Sequence, residues 1–273
     1  MNYIKENNVR LDFLSLHNYA GTASGNLNQG KKFSVNSWLE TQERYAAVIA
    51  KTGFEDVELI IDEWGMAAQG FFNIEECPSF IARENEVYSS YYVKLIYKIL
   101  EKGWNISKLL ICLSGQHEMV TDFSGFRNFF TLNFFAKPIY NAYVLASKLH
   151  ENLIEAKYDN ENIYMIPTKN DKDEYAVLLS YSSEYFEEDL PEIYEEIAFD
   201  ADITGKKMTV YCIDKNTTNP YRLYQKKGIT ELTDADIKEL REEGNIKPIA
   251  ECTASDKIEL KLTANSVYLI MID

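Results

Sequence analysis

The segment Leu59-Ile60-Ile61-Asp62-Glu63-Trp64-Gly65 joins a short apolar run to two carboxylates at its C-terminal end. Carboxylates serve as general acids, general bases and nucleophiles, so an acidic pair at a strand tip is a catalytic pattern. A short apolar run of this kind reads as a buried strand of a parallel sheet, and barrel enzymes carry their chemistry at the C-terminal ends of such strands. The plainer reading is a carboxylate that caps the next helix or enters a structural ion pair. A second run, Leu11-Asp12-Phe13-Leu14-Ser15-Leu16-His17-Asn18-Tyr19, also ends in polar side chains. Period-two alternation puts Phe13, Ser15 and His17 on one face, with Leu14 and Leu16 on the other. The same rule groups Leu59, Ile61 and Glu63, and leaves Asp62 in opposite phase as a structural carboxylate. With both strands in one sheet, His17 and Glu63 point to the same side at its end.

The elements that must position these residues follow a strand-helix rhythm. A polar loop from Ala20 to Lys32 leads to a helix over about Ser37 to Lys51, with a Ser37/Glu40 capping-box spacing, an apolar stripe of Trp38, Tyr45, Val48 and Ile49, and Gly53 as its stop. After the Glu63 strand, a loop from Gly65 to Ser79 precedes a long helix. Val87, Tyr88, Tyr91, Tyr92, Leu95, Ile96, Ile99 and Leu100 recur there at helical spacing, and Gly103 ends it. Leu109 to Leu113 reads as a third buried strand, with Cys112 as inert core and Ser114 to Glu118 as the exit loop. A last helix begins near Pro138. Three consecutive strand-helix units indicate a parallel α/β layer, either a doubly wound sheet or part of an eight-fold barrel, which three units cannot close.

Beyond about residue 156 the pattern changes to short alternating runs at Tyr175 to Tyr181, Met208 to Asp214, Ile258 to Leu262 and Val267 to Ile272. These read as antiparallel strands of a small sandwich-like domain. The acidic stretch Glu184 to Glu196 reads as a solvated loop, and Thr233 to Glu242 as a short helix. The expected division is therefore 1–155 and 156–273.

The 273 residues are 46% apolar, enough for a real core. A formal charge of -15 argues against nucleic acid and against an anionic membrane surface, and favours a neutral or small substrate. Nineteen Tyr and 14 Phe offer rings that can stack on sugar faces, although most such rings are packing. The four cysteines, Cys77, Cys112, Cys212 and Cys252, have neither CxxC spacing nor a histidine partner at metal spacing, so no metal site or disulfide framework is indicated. Met1 to Asn8 contain no apolar signal region, and as written the chain reads as cytoplasmic; an export signal would lie upstream.

The order of segments resembles glycoside hydrolase family 39, which includes β-xylosidases and α-L-iduronidases. The resemblance rests on Leu14-Ser15-Leu16-His17-Asn18-Tyr19, on Ile60-Ile61-Asp62-Glu63-Trp64-Gly65 and on Phe135-Ala136-Lys137-Pro138-Ile139-Tyr140-Asn141-Ala142-Tyr143. It continues with Ile213-Asp214-Lys215-Asn216-Thr217-Thr218-Asn219-Pro220-Tyr221 and Ala264-Asn265-Ser266-Val267-Tyr268-Leu269-Ile270. The resemblance implies the C-terminal part of a (β/α)8 TIM barrel, about three strand-helix units, followed by an accessory antiparallel β-sandwich domain. It implies retaining hydrolysis of a terminal glycoside, a xyloside first and an iduronide second, with no cofactor and no metal. Glu63 falls where the family has its nucleophile, and His17 and Tyr19 fall in the subsite of the reacting sugar. The family's acid/base glutamate follows an asparagine at the fourth strand. The Asn-Glu pairs here, Asn85-Glu86 and Asn160-Glu161, read as lying off any strand tip, so the acid/base and the first five units are expected to be missing and the isolated chain nearly inactive on natural glycosides.

Further residues carry alternatives. Trp64 and Tyr19 pack against the sugar or anchor loops. Glu118 and Asp122 supply a substitute acid or are solvated loop carboxylates. Arg127 pairs with a uronate carboxylate, or is a surface or backbone-binding arginine. The competing function is a non-catalytic carbohydrate-binding or scaffold protein, and the uncovered sheet invites self-association or a second chain that completes the barrel.

Overall fold

Strand β1 (Phe13–Tyr19), preceded by the short helix α1 (Asn2–Glu6), pairs in parallel with β2 (Glu58–Gly65), which pairs in parallel with β3 (Ile106–Ile111). The structure is a computed structural model that describes residues 1–21, 33–114, 119–185, 189–255 and 257–273. Parallel neighbours need a crossover, which α2 (Val35–Thr52) and α3 (Glu86–Lys102) provide. The α2 cap sits earlier than the Ser37/Glu40 spacing suggests: Ser34 is the N-cap and its hydroxyl accepts from Ser37 N. Asn85 caps α3 by accepting from Val87 N, and Gly53 and Gly103 end the two helices in the left-handed conformation.

One face of this sheet is buried and the other is open. Leu59, Ile61 and Trp64 face the helices, whereas Phe13 and Leu110 on the opposite face are 51% and 50% exposed. This corrects the reading of Leu109 to Leu113 as a buried strand. β3 is an edge strand, and its residues are partly or fully exposed. Val48, counted above in the apolar stripe of its helix, also faces out, as does Leu100.

After α4 (Pro138–Ala146) the chain forms a six-stranded sheet in the order β4-β5-β6-β11-β8-β9. Its members are β4 (Asn152–Leu153), β5 (Ile163–Lys169), β6 (Tyr175–Tyr181), β8 (Lys207–Ile213), β9 (Pro248–Thr253) and β11 (Ser266–Ile272). All of its pairings are antiparallel. A two-stranded sheet of β7 (Ile193–Ala198) and β10 (Lys257–Leu262) packs against it through Ile197, Ile258 and Leu260. β7 overlaps the end of the acidic stretch expected to be a loop; its alternation buries Ile197 between the exposed Glu196 and Ala198. Helices α5 (Pro220–Lys227) and α6 (Asp234–Glu243) follow β8, the latter closed by a reciprocal Thr233/Asp236 capping box.

The two sheet systems share one core. Val87, Tyr91, Leu95 and Ile99 of α3 lie in the same buried cluster as Leu178 of β6 and Leu269 of β11. Polar seams reinforce this contact. Lys94 donates to Ser183 O, Ser90 to Asn265, and Arg222 to the buried Glu86 carboxylate at 2.6 Å. Among the described residues, no helix is long and apolar enough to cross a membrane.

Candidate active site

A slip in strand register builds the site. Leu16 of β1 stands opposite Ile61, but the next residue, His17, stands opposite Glu63, so Asp62 is the extra residue of a bulge. Strict alternation would put Glu63 on the buried face with Leu59 and Ile61, where an ionised carboxylate is costly. The inserted residue turns Glu63 to the open face beside His17 and leaves Trp64 to continue the buried row. Asp62 is brought to the same imidazole: His17 Nε2 lies 3.5 Å from Asp62 Oδ1 and Nδ1 lies 3.2 Å from Glu63 Oε2. The phase assigned to Asp62 from simple alternation is thus corrected.

Tyr19 completes the group from the end of β1. Its hydroxyl donates to Glu63 Oε2 at 2.5 Å and accepts from Arg127 Nη1 at 2.8 Å. Burial, then hydrogen bonds with Cys112 and Glu63, raise the Tyr19 phenol well above its ordinary range, and the Arg127 charge opposes this. The hydroxyl therefore keeps its proton and donates it to the carboxylate. Cys112, expected as inert core, is only partly buried and lies against this hydroxyl.

Arg127 is 7% exposed and is neither a surface nor a backbone-binding arginine in its guanidinium contacts. Its Nε donates to Ser114 Oγ at 3.0 Å, and the Ser114 hydroxyl donates to Gly70 O. A side chain at position 70 would displace this pair: a Cβ would stand 2.2 Å from Ser114 Oγ and 2.3 Å from Arg127 Nη2. The adjoining loops are fixed from below by a buried charged set. Arg83 donates to Ala67 O, Gln69 O and Gly125 O. Lys137 donates to Glu84 at 2.7 Å, and the same Glu84 oxygen accepts from Gly125 N. Burial pulls the Arg83 guanidinium down to about 10 and lowers the Lys137 ammonium, the latter opposed by the Glu84 charge.

The remaining candidates separate from this group. Trp64 is fully buried, stacked on Tyr92 at 5.5 Å and packed on Tyr88 and Tyr91, with its indole N–H donated to Tyr143. It has no open face for a sugar, so it is an anchor of the strand and not a ligand contact. Asp122 is taken up by Asn133, accepting from its backbone N–H and its side-chain amide. Glu118 lies outside the described residues. Glu86 is buried and bound to Arg222 and Asn219, and Glu161 sits in the turn before β5. Among the described residues no cluster of His, Cys, Asp and Glu is arranged to hold a metal ion.

The sequence did not single out Ser114, Gly70, Arg83 and Glu84, because their roles arise where three loops meet. Lys137 and its proline were visible only as part of a family-like segment.

No curated protein sequence matches the chain. Solved structures do. A monomeric β-xylosidase from Caulobacter crescentus is 16% identical with a TM-score of 0.79, covering 100% of this chain and 58% of that one. A GH39 enzyme from Xanthomonas axonopodis pv. citri is 14% identical with a TM-score of 0.74, covering 100% and 56%. The bacterial orthologue of human α-L-iduronidase is 15% identical with a TM-score of 0.71, covering 96% and 49%. The chain thus spans about half the length of these structures and shares their α/β fold. The model of glycosyl hydrolases family 39 matches residues 1–262, and the chain belongs to that family.

Proposed function

We propose that the chain carries the nucleophile half of a retaining glycosidase site of β-xylosidase type, with Glu63 as the nucleophile and His17 and Tyr19 holding it and the sugar. On this reading the parallel sheet is the C-terminal portion of a (β/α)8 barrel and the antiparallel sheets are its accessory sandwich. The observation that carries it is the Glu63 carboxylate on the open face at the C-terminal end of a parallel sheet, held by a protonated phenol and an imidazole. Retention requires Glu63 to attack the anomeric carbon, release the aglycone and form a glycosyl ester that water then opens. Tyr19 restrains the attacking oxygen without neutralising it.

A proton must reach the leaving oxygen from a second carboxyl about 5–5.5 Å away. The Asn-Glu pairs do not supply it: Glu86 is buried in an ion pair and Glu161 lies outside the site. Without that acid, loss of a poor leaving group is slower by about 10²- to 10⁴-fold. A xyloside is preferred over an iduronide because Arg127, the residue expected to meet a uronate, is engaged with Tyr19 and Ser114.

The test is exposure of the purified chain to a dinitrophenyl 2-deoxy-2-fluoroxyloside, whose leaving group needs no acid, followed by peptide mass spectrometry. A fluoroxylosyl adduct on Glu63, lost in Glu63→Gln, is expected. An unmodified Glu63, or an adduct on another residue, would refute the assignment, and rapid turnover of xylobiose by this chain would refute the missing acid.

A further inference from the structure

The hydrogen bonds around Tyr19 have a direction that their chemistry fixes. Arginine has no acceptor atom, so its contact with Tyr19 Oη can only be a donation. A neutral phenol has one proton, and a carboxylate can only accept, so Tyr19 must give that proton to Glu63. The chain therefore runs one way, from the Arg127 cation through the phenol to the Glu63 anion. A bond accepted by a hydroxyl polarises the proton it donates, so each link strengthens the next.

The supports of Arg127 point the same way. Its Nε is spent on Ser114 Oγ, and its backbone carbonyl accepts from Ser114 N at 2.5 Å. The Nη2 edge faces the bare Cα of Gly70, from which a Cβ would stand 2.3 Å away. The arginine thus lies behind the tyrosine, walled in by two loops, with its Nη1 aimed at the phenol oxygen.

We propose that Arg127 is a positioning residue for Glu63, acting through the Tyr19 hydroxyl and held in register by Ser114 and by the absence of a side chain at Gly70. Its catalytic consequence rests on Glu63 being the nucleophile; its hydrogen-bond role does not. A lysine at 127 keeps the charge but loses the planar fork that reaches Tyr19 and Ser114 together.

The deciding experiment follows the Tyr19 ring carbon that bears the hydroxyl, by NMR of the full chain grown with ¹³Cζ-tyrosine. The Tyr19 signal is identified by its loss in Tyr19→Phe, and the other tyrosine signals report whether each variant is folded. Arg127→Lys is expected to shift the Tyr19 signal and leave most of the others in place. Ser114→Ala, a milder change that frees only Nε, shifts it in the same direction by less, and stands in if Arg127→Lys does not fold. An unmoved Tyr19 signal in a folded variant overturns the proposal.

The second measurement is the rate at which the activated fluoroxyloside esterifies Glu63. Arg127→Lys should slow it by about tenfold to a hundredfold at unchanged half-saturation, and should add nothing further to the loss in Tyr19→Phe. A raised half-saturating concentration, with losses that multiply, would make Arg127 a sugar-binding residue and overturn the positioning role. If wild type is not esterified, the nucleophile assignment fails, while the NMR shift still decides the link between Arg127 and Tyr19.

Discussion

At the scale of single residues, the strongest commitments are charges removed from water. Lys137 and Glu84 are each essentially unexposed and 2.7 Å apart, and Lys137 also donates to Phe126 O. Removing one partner strands the other charge, so Lys137→Met should cost about 3–5 kcal/mol in urea unfolding. Adding Glu84→Leu should recover a large part of that loss. If the double variant loses the sum of the single losses, the pair is not coupled as described. Residue types at strand ends were readable from the sequence: Glu63, His17 and Tyr19 all lie at the C-terminal ends of two adjacent strands, and their side chains meet there. Their phase was not, because the extra residue at Asp62 is a feature of pairing with β1 and leaves no mark in composition. The surroundings of Trp64 and Arg127 were hidden for a related reason. An indole or guanidinium beside a candidate carboxylate looks available until the packing that consumes it is known.

At the scale of elements, sequence periodicity located α3, whose end Gly103 marks locally, and the antiparallel strands β6, β8, β10 and β11, but not β4, β5, β7 or β9. It could not tell a strand buried on both faces from one buried on a single face, because β3 is as apolar as β2 in its sequence. The structure makes the difference measurable. Ile61→Ala removes a fully buried side chain on the helix-facing side of β2, and should cost about 2–5 kcal/mol. Phe13→Lys and Leu110→Lys lie on the other side, and each should change unfolding free energy by no more than about 0.5 kcal/mol. A large loss from either lysine variant would mean that this face is covered in solution, by a second copy or by another polypeptide. Gel filtration of the same variants separates these cases, because charges on a self-associating face shift the chain toward monomer.

At the scale of the whole molecule, α3 ties the two sheet systems into one unit, and the tyrosines of α3 and α4 make that unit sensitive to alkali. Burial pushes Tyr88 up to about 12 and raises Tyr91, Tyr92 and Tyr143 as well. Above a pH of about 10 the unfolded chain releases phenolic protons that the native state keeps, so native binding exceeds unfolded binding and stability falls as pH rises. The loss is about 1.4 kcal/mol per pH unit for each such tyrosine, continuing until the native group itself ionises, and a charge of -15 adds repulsion in the same direction. The part of the phenolate absorbance that belongs to these buried tyrosines should thus rise together with loss of helix signal, as a step distinct from the response of exposed rings such as Tyr3 and Tyr194. The same sharing of α3 governs thermal unfolding. Leu178 and Leu269 of the antiparallel sheet and Tyr91 and Leu95 of the helix lie in one core, and Glu86, Ser90 and Lys94 bind residues of the second half. Melting either half exposes apolar surface and unpaired charge on the other. Calorimetry should therefore record one transition whose calorimetric and van't Hoff enthalpies agree, and Arg222→Ala, which strands Glu86, should lower its midpoint without dividing it. Two resolved peaks in wild type would mean that the sheets fold independently and that the α3 seam does not couple them.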